Sequence, residues 1–164
     1  MTEIIVTPLV YRITHMKKIA ALVFGLFTFF AANSQSKNPV IWSASYKSIS
    51  ATEGEIVIIA AIEKGWHIYS QDTTSAGPVP TSFNFALNKS YLLVGKALEI
   101  GAQSIFDKTF EAQISSFSDK AEFKQKINLL SKQPLTISFK AEYMSCNDMM
   151  CLPPKQVDLS VNVQ

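Results

Sequence analysis

Arginine is almost missing from this 164-residue chain: Arg12 is the only one, and the sequence holds just two cysteines and two histidines. Without clustered arginine there is no basic surface of the kind that phosphate backbones need, which argues against a nucleic-acid partner. The net charge of +2 comes from the first residues, because from residue 35 onward twelve lysines face twelve acids. No apolar run approaches the roughly 20 residues that a spanning helix requires. Internal repeats and low-complexity segments are also lacking, so one ordinary domain with its own core is expected.

The beginning of the chain has a different character. Met16-Lys17-Lys18 followed by the apolar run Ile19 to Phe30 has the layout of a secretory signal peptide, with Met16 as the start. Ala32 and Ser34 occupy the small-residue positions of a cleavage site, so residues 1–34 are expected to leave as a leader and 35–164 to form the single mature domain. No cysteine lies near that site, which removes a lipid anchor of the bacterial lipoprotein type. Export places the protein in a bacterial periplasm or outside the cell, where a disulfide persists.

From Val40 onward the apolar residues recur with period two. Val40, Trp42, Ala44 and Tyr46 alternate with polar or smaller residues, and Ile56, Ile58, Ala60 and Ile62 follow after Glu53-Gly54. Trp66 to Ser70, Phe83 to Leu87 and Tyr91 to Val94 read as further short strands, with Gly95 and Gly101 as bends. Phe110 to Phe117 and Ala121 to Leu129 read as a hairpin around Ser118-Asp119-Lys120. The clearest alternation runs from Leu135 to Tyr143, and the last strand covers Val157 to Val163. About nine short strands with no helix predict an all-β, immunoglobulin-like antiparallel sandwich.

Between the last two strands lies Tyr143-Met-Ser-Cys146-Asn-Asp-Met-Met-Cys151-Leu-Pro-Pro154, which contains both cysteines. Three fates suit such a pair. As a staple, a loop this short restricts the unfolded chain by only roughly 2 kcal/mol. As a metal site, Cys146 and Cys151 with Met144, Met149 and Met150 form a soft donor set suited to Cu(I), whereas two cysteines supply only half of a closed zinc site. As a redox pair, they sit at an exposed hairpin tip. No cation adjoins either thiol and Asp148 lies between them, so local charge disfavours the thiolate and the pair is expected to react only with a partner that supplies the right surroundings.

Two segments carry a resemblance: Gly65-Trp-His-Ile-Tyr-Ser70 with the turn Gly77-Pro-Val-Pro80, and the stretch from Tyr143 to Pro154. Over most of residues 38–163 the chain resembles the N-terminal periplasmic domain of the DsbD family of thiol:disulfide interchange proteins. The resemblance implies an immunoglobulin-like domain that uses no cofactor beyond a redox-active Cys146–Cys151 disulfide. It implies an oxidoreductase acting on protein substrates, relaying reducing equivalents between thioredoxin-like proteins, with Cys151 as the exchanging thiol and Cys146 as the resolving one. It also implies a cap over the pair within Phe106 to Glu111, carried by Phe106 or Phe110, with Asp107, Trp66, His67 and Tyr69 beside it. For the last four, and for Phe110 as an ordinary core residue, strand, core or loop positions remain the alternative. Two departures stand out. The four residues between the cysteines are fewer than in the best-known proteobacterial members, and larger members continue into a membrane carrier and a thioredoxin-like domain. A separate protein, such as a membrane electron carrier, is therefore expected to be the electron donor. The readings from other classes are a Cu(I)-delivery domain and a non-redox structural sandwich with a stapled hairpin.

Overall fold

The structure is a computed structural model that describes residues 38–73, 77–131 and 134–164. The leader expected over residues 1–34 lies outside the described residues. Among the described residues there are eleven strands: β1 (Val40–Ser48), β2 (Glu53–Ile62), β3 (His67–Tyr69), β4 (Ser82–Phe85), β5 (Tyr91–Ile100), β6 (Gln103–Asp107), β7 (Ala112–Ser118), β8 (Lys120–Leu129), β9 (Leu135–Tyr143), β10 (Ser145–Cys146) and β11 (Lys155–Val163). No helix occurs among the described residues. The strands form three antiparallel sheets, in the orders β1-β2-β8-β5, β10-β3-β7-β6 and β11-β9-β4.

The first and third sheets enclose the main core. Trp42 of β1, Ile56, Ile58 and Ala60 of β2, and Phe123 and Ile127 of β8 face Ile137, Phe139, Ala141 and Tyr143 of β9. These are the alternating positions of each strand, as a half-buried pleat demands. Aromatic contacts join the two layers: Phe83 meets Phe123 edge-on at 4.9 Å and Trp42 at 6.1 Å, and Trp42 lies 5.2 Å from Tyr143. Such pairs contribute beyond the area they bury, by about 1 kcal/mol each.

The hairpin expected around Ser118-Asp119-Lys120 does not form, because β7 and β8 lie in different sheets. Asp119 adopts a positive φ of 61°, and its carbonyl accepts the amide of Ile62 at 2.8 Å. At that corner β2 also gives way to β3 through Glu63-Lys64-Gly65. The ribbon therefore bends as a unit: β2 pairs with β8 before the corner and β3 with β7 beyond it. Other boundaries also shift. Phe110 sits in a turn ahead of β7, Leu87 lies outside β4 and is fully exposed, and Gln103 to Asp107, not read as a strand from sequence, is β6. Tyr91 to Val94 is the first part of a longer β5, in which Gly95 at φ 66° accompanies a register shift between Val94 and Leu98.

A disulfide turn and its surroundings

Two turns, one after β10 and one between β6 and β7, converge on one groove and one apolar cluster beside the second sheet. β9 ends at Tyr143, whose buried ring is fixed by a hydrogen bond from its hydroxyl to Asn38 Oδ1 at 3.1 Å. The chain then crosses into the second sheet, where Ser145 pairs with Ile68 and Cys146 with His67. Asn147 makes the turn: its Oδ1 accepts the amides of Met149 and Met150, each at 2.9 Å, while its own amide donates to the Met150 carbonyl at 2.9 Å. This is the local bonding for which asparagine is favoured in turns. Leu152 N donates to Ser145 O at 2.9 Å, so Cys146 and Cys151 face each other between two hydrogen-bonded positions. Directly opposed residues at such a site bring their side chains closest, and a disulfide joins the two. Leu152 packs on the main core, and after Pro153-Pro154 the chain enters β11, which runs back along β9.

The two sulfurs are unequally placed. Cys146 is 1% exposed, within a small apolar cluster with Tyr69 and Ile114, on which Phe110, Ala112 and Met144 also pack. Cys151 is half-buried at the rim of that cluster. An approaching group therefore meets Cys151 before Cys146.

The second turn, Lys108 to Glu111, connects β6 to β7 in a hairpin whose last pair is Asp107 with Ala112. Asp107 organises it in the way Asn147 organises the first, with Oδ1 accepting the amides of Thr109 at 2.8 Å and Phe110 at 3.2 Å. Glu111 completes the turn at a φ of 51°. The outcome is that Phe110 leans into the cysteine cluster, its ring edge-on to Tyr69 at 6.0 Å. Phe106 points elsewhere and is 59% exposed.

Strand alternation divides the Gly65-Trp-His-Ile-Tyr segment. Trp66 and Ile68 join the main core, while His67 and Tyr69 turn to the cysteine side. Tyr69 donates its hydroxyl proton to Asp107 Oδ2 at 2.7 Å. A tyrosine has one such proton, so the 3.1 Å contact between Tyr69 Oη and His67 Nε2 has the imidazole as donor. His67 Nε2 also lies 3.5 Å from Asp107 Oδ2. Burial alone would raise the Asp107 carboxyl, but the Tyr69 hydroxyl, the two amides and His67 outweigh it and hold it below the ordinary carboxylate range. Tyr69 is raised above the ordinary phenol range by its burial and then by its bond to Asp107 and that residue's charge. Asp107 is thus a buried, three-donor carboxylate and not an exposed loop acid.

A groove of about 290 Å³ runs beside the two turns, lined among others by Trp66, His67, Phe106, Lys108, Asn147 and Asp148. Met149 and Met150 are exposed at the tip, whereas Met144 is half-buried in the cysteine cluster. The candidate residues therefore fall into three groups. Cys146, Cys151, Tyr69, Phe110, His67 and Asp107 come together, Trp66 reaches the groove from the core, and Phe106 lines only the groove. Sequence inspection passed over Asn147 and Ile114. An asparagine just after a cysteine in a four-residue connection was the available signal for the first; for Ile114, one of several apolar residues in its strand, there was none.

Fold and site together define an immunoglobulin-like sandwich that carries a disulfide in a tight turn at one end. The model of the N-terminal domain of the thiol:disulfide interchange protein DsbD matches residues 40–162, and the chain belongs to that family. Among solved structures, the N-terminal periplasmic domain of ScsB from Proteus mirabilis superposes with a TM-score of 0.50 at 15% identity, covering 80% of this chain and 49% of that one. The reduced DsbD N-terminal domain of Neisseria meningitidis gives 0.49 at 13% identity, covering 80% of this chain and 94% of that one. The complex of the DsbD and PilB N-terminal domains from the same organism gives 0.48 at 12% identity, with coverages of 79% and 88%. No curated protein is significantly similar in sequence. No helix among the described residues is long and apolar enough to cross a membrane.

Proposed function

We propose that this domain works in the periplasm as a thiol:disulfide exchanger, relaying reducing equivalents between thioredoxin-like proteins through Cys146 and Cys151. The observation that carries this reading is the asymmetry of the disulfide, with Cys146 fully buried and Cys151 half-buried at the rim of the cluster. A purely structural bridge gains little from so short a loop.

The chemistry follows from that asymmetry. A thiolate of a reduced partner attacks the sulfur of Cys151, forming a mixed disulfide as the Cys151–Cys146 bond breaks and Cys146 leaves as a thiolate. The partner's second thiol then attacks its own bridged sulfur and releases Cys151. Two electrons pass to this domain, the partner ends as a disulfide, and protons from its thiols are available to the departing thiolates. With an oxidised acceptor the same steps run in reverse: Cys151 attacks, and Cys146 resolves the mixed disulfide. Phe110 acts as the cap in this scheme. Its ring on the cysteine cluster hinders small thiols, and a docking protein displaces it.

The roles of the two sulfurs are testable by trapping. A bacterial thioredoxin with a single active-site cysteine, activated as its thionitrobenzoate disulfide, is mixed with Cys146→Ala and, separately, with Cys151→Ala. The expected result is a stable mixed disulfide through Cys151 in the first case and little adduct in the second. Equal trapping by both, or none by Cys146→Ala, contradicts the assignment.

A further inference from the structure

Met149 is 89% exposed and Met150 53% exposed, side by side at the tip of the turn that carries the disulfide. The turn does not need them. Asn147 supplies the side-chain bonds that close it, and the backbone bond from Asn147 to Met150 is indifferent to the methionine side chains. Turn tips ordinarily take glycine or small polar residues, so two adjacent thioethers in water are an expense without a local return. Phe106, 59% exposed, adds a third apolar side chain on the wall of the groove that Asn147 and Asp148 also line.

We propose that Met149 and Met150, with Phe106 on the wall of the groove that Asn147 and Asp148 of the same turn also line, form the apolar docking surface for the thioredoxin-like partner, and that the two methionines set the rate of exchange with proteins. This rests on the exchange reaction proposed above. A mixed disulfide brings the partner's sulfur within about 2 Å of the Cys151 sulfur, so the residue bonded to Cys151 and its neighbour at the tip are necessarily covered when the partner arrives. A relay must also seat a donor and an acceptor in turn on this one surface. Methionine suits that demand, because its unbranched, polarizable side chain repacks against differently shaped apolar surfaces. Methionine is also among the residue types enriched at the buried cores of protein interfaces.

The test compares a protein reductant with a small one. Oxidised wild type and the double variant Met149→Ser/Met150→Ser are each reduced by bacterial thioredoxin and, separately, by dithiothreitol. The variant is expected to lose about tenfold in rate with thioredoxin, as for about 1.4 kcal/mol of lost contact, while its rate with dithiothreitol is unchanged. Met149→Leu/Met150→Leu, which keeps the apolar surface, is expected to retain most of the thioredoxin rate. An unchanged thioredoxin rate in the serine variant overturns the docking role, as does a parallel fall with both reductants, which would place the methionines in the integrity of the turn. If wild type itself reacts no faster with thioredoxin than with dithiothreitol at equal dithiol concentration, the exchange reading fails first and the docking role with it.

Discussion

Asp107 has the widest influence of any single residue at this site. Its side chain is 4% exposed, accepts from Tyr69 and from two turn amides, and lies near His67. Asp107→Ala leaves the phenol and both amides without their acceptor, and a buried donor stripped of its partner costs about 2 kcal/mol. Denaturant unfolding at neutral pH is expected to register a loss of that order. The dependence on pH has a definite sign. The folded-state pKa of Asp107 is depressed, so its contribution is complete above the unfolded carboxyl value near 4 and fades as pH falls through the lower folded value. Wild type is therefore expected to lose stability below about pH 4, and Asp107→Ala to lose less over the same interval. Parallel profiles would remove the special role given to this carboxylate. The resemblance set Asp107 beside the pair, but its three donors could not be read from the sequence, where Phe106-Asp107-Lys108 looks like any charged loop.

Among the elements, the two turns act together because each is built on an Asx side chain that bonds the amides two and three residues on. One turn places the disulfide and the other places Phe110 on it. Phe110→Ala removes the ring that packs on Tyr69 and the cysteine cluster. The expected effect is faster reduction by dithiothreitol, by about tenfold if the ring contributes about 1.4 kcal/mol of exclusion, whereas Phe106→Ala leaves that rate unchanged. A stopped-flow comparison of the two variants decides which aromatic covers the pair.

Strand period alone could not make that choice. Phe106 and Phe110 straddle a turn whose geometry depends on Asp107 and on a positive φ at Glu111. The same limit explains the misplaced hairpin. The alternation of β7 and β8 was legible, but their assignment to different sheets depends on the corner at Asp119, which no periodicity records. By contrast, β9 emerged from sequence with its observed bounds, Leu135–Tyr143, because one face is buried along its whole length. β6 went unseen because Gln103 to Phe106 is mostly exposed and gives no apolar rhythm.

At the scale of the whole molecule, the sandwich core and the site are separate clusters that share strands. Trp66 and Ile68 belong to the core, and His67 and Tyr69, from the same short segment, belong to the site. The core can therefore hold β3, β7 and β10 in place while the disulfide opens and closes. A rigid scaffold with its reactive group on a turn is how many folds carry function, and the exchange proposed above assigns that part to the Cys146–Cys151 bond. Exchange through Cys146 and Cys151 is read from the thiol state of the pair after contact with a thioredoxin-like protein. Oxidised domain is mixed with an excess of reduced bacterial thioredoxin, quenched by alkylation at intervals and weighed by mass spectrometry. Two alkylated cysteines, Cys146 and Cys151, are predicted to appear together, faster than with dithiothreitol at the same dithiol concentration. A pair that stays oxidised, or that opens no faster than with dithiothreitol, contradicts the account.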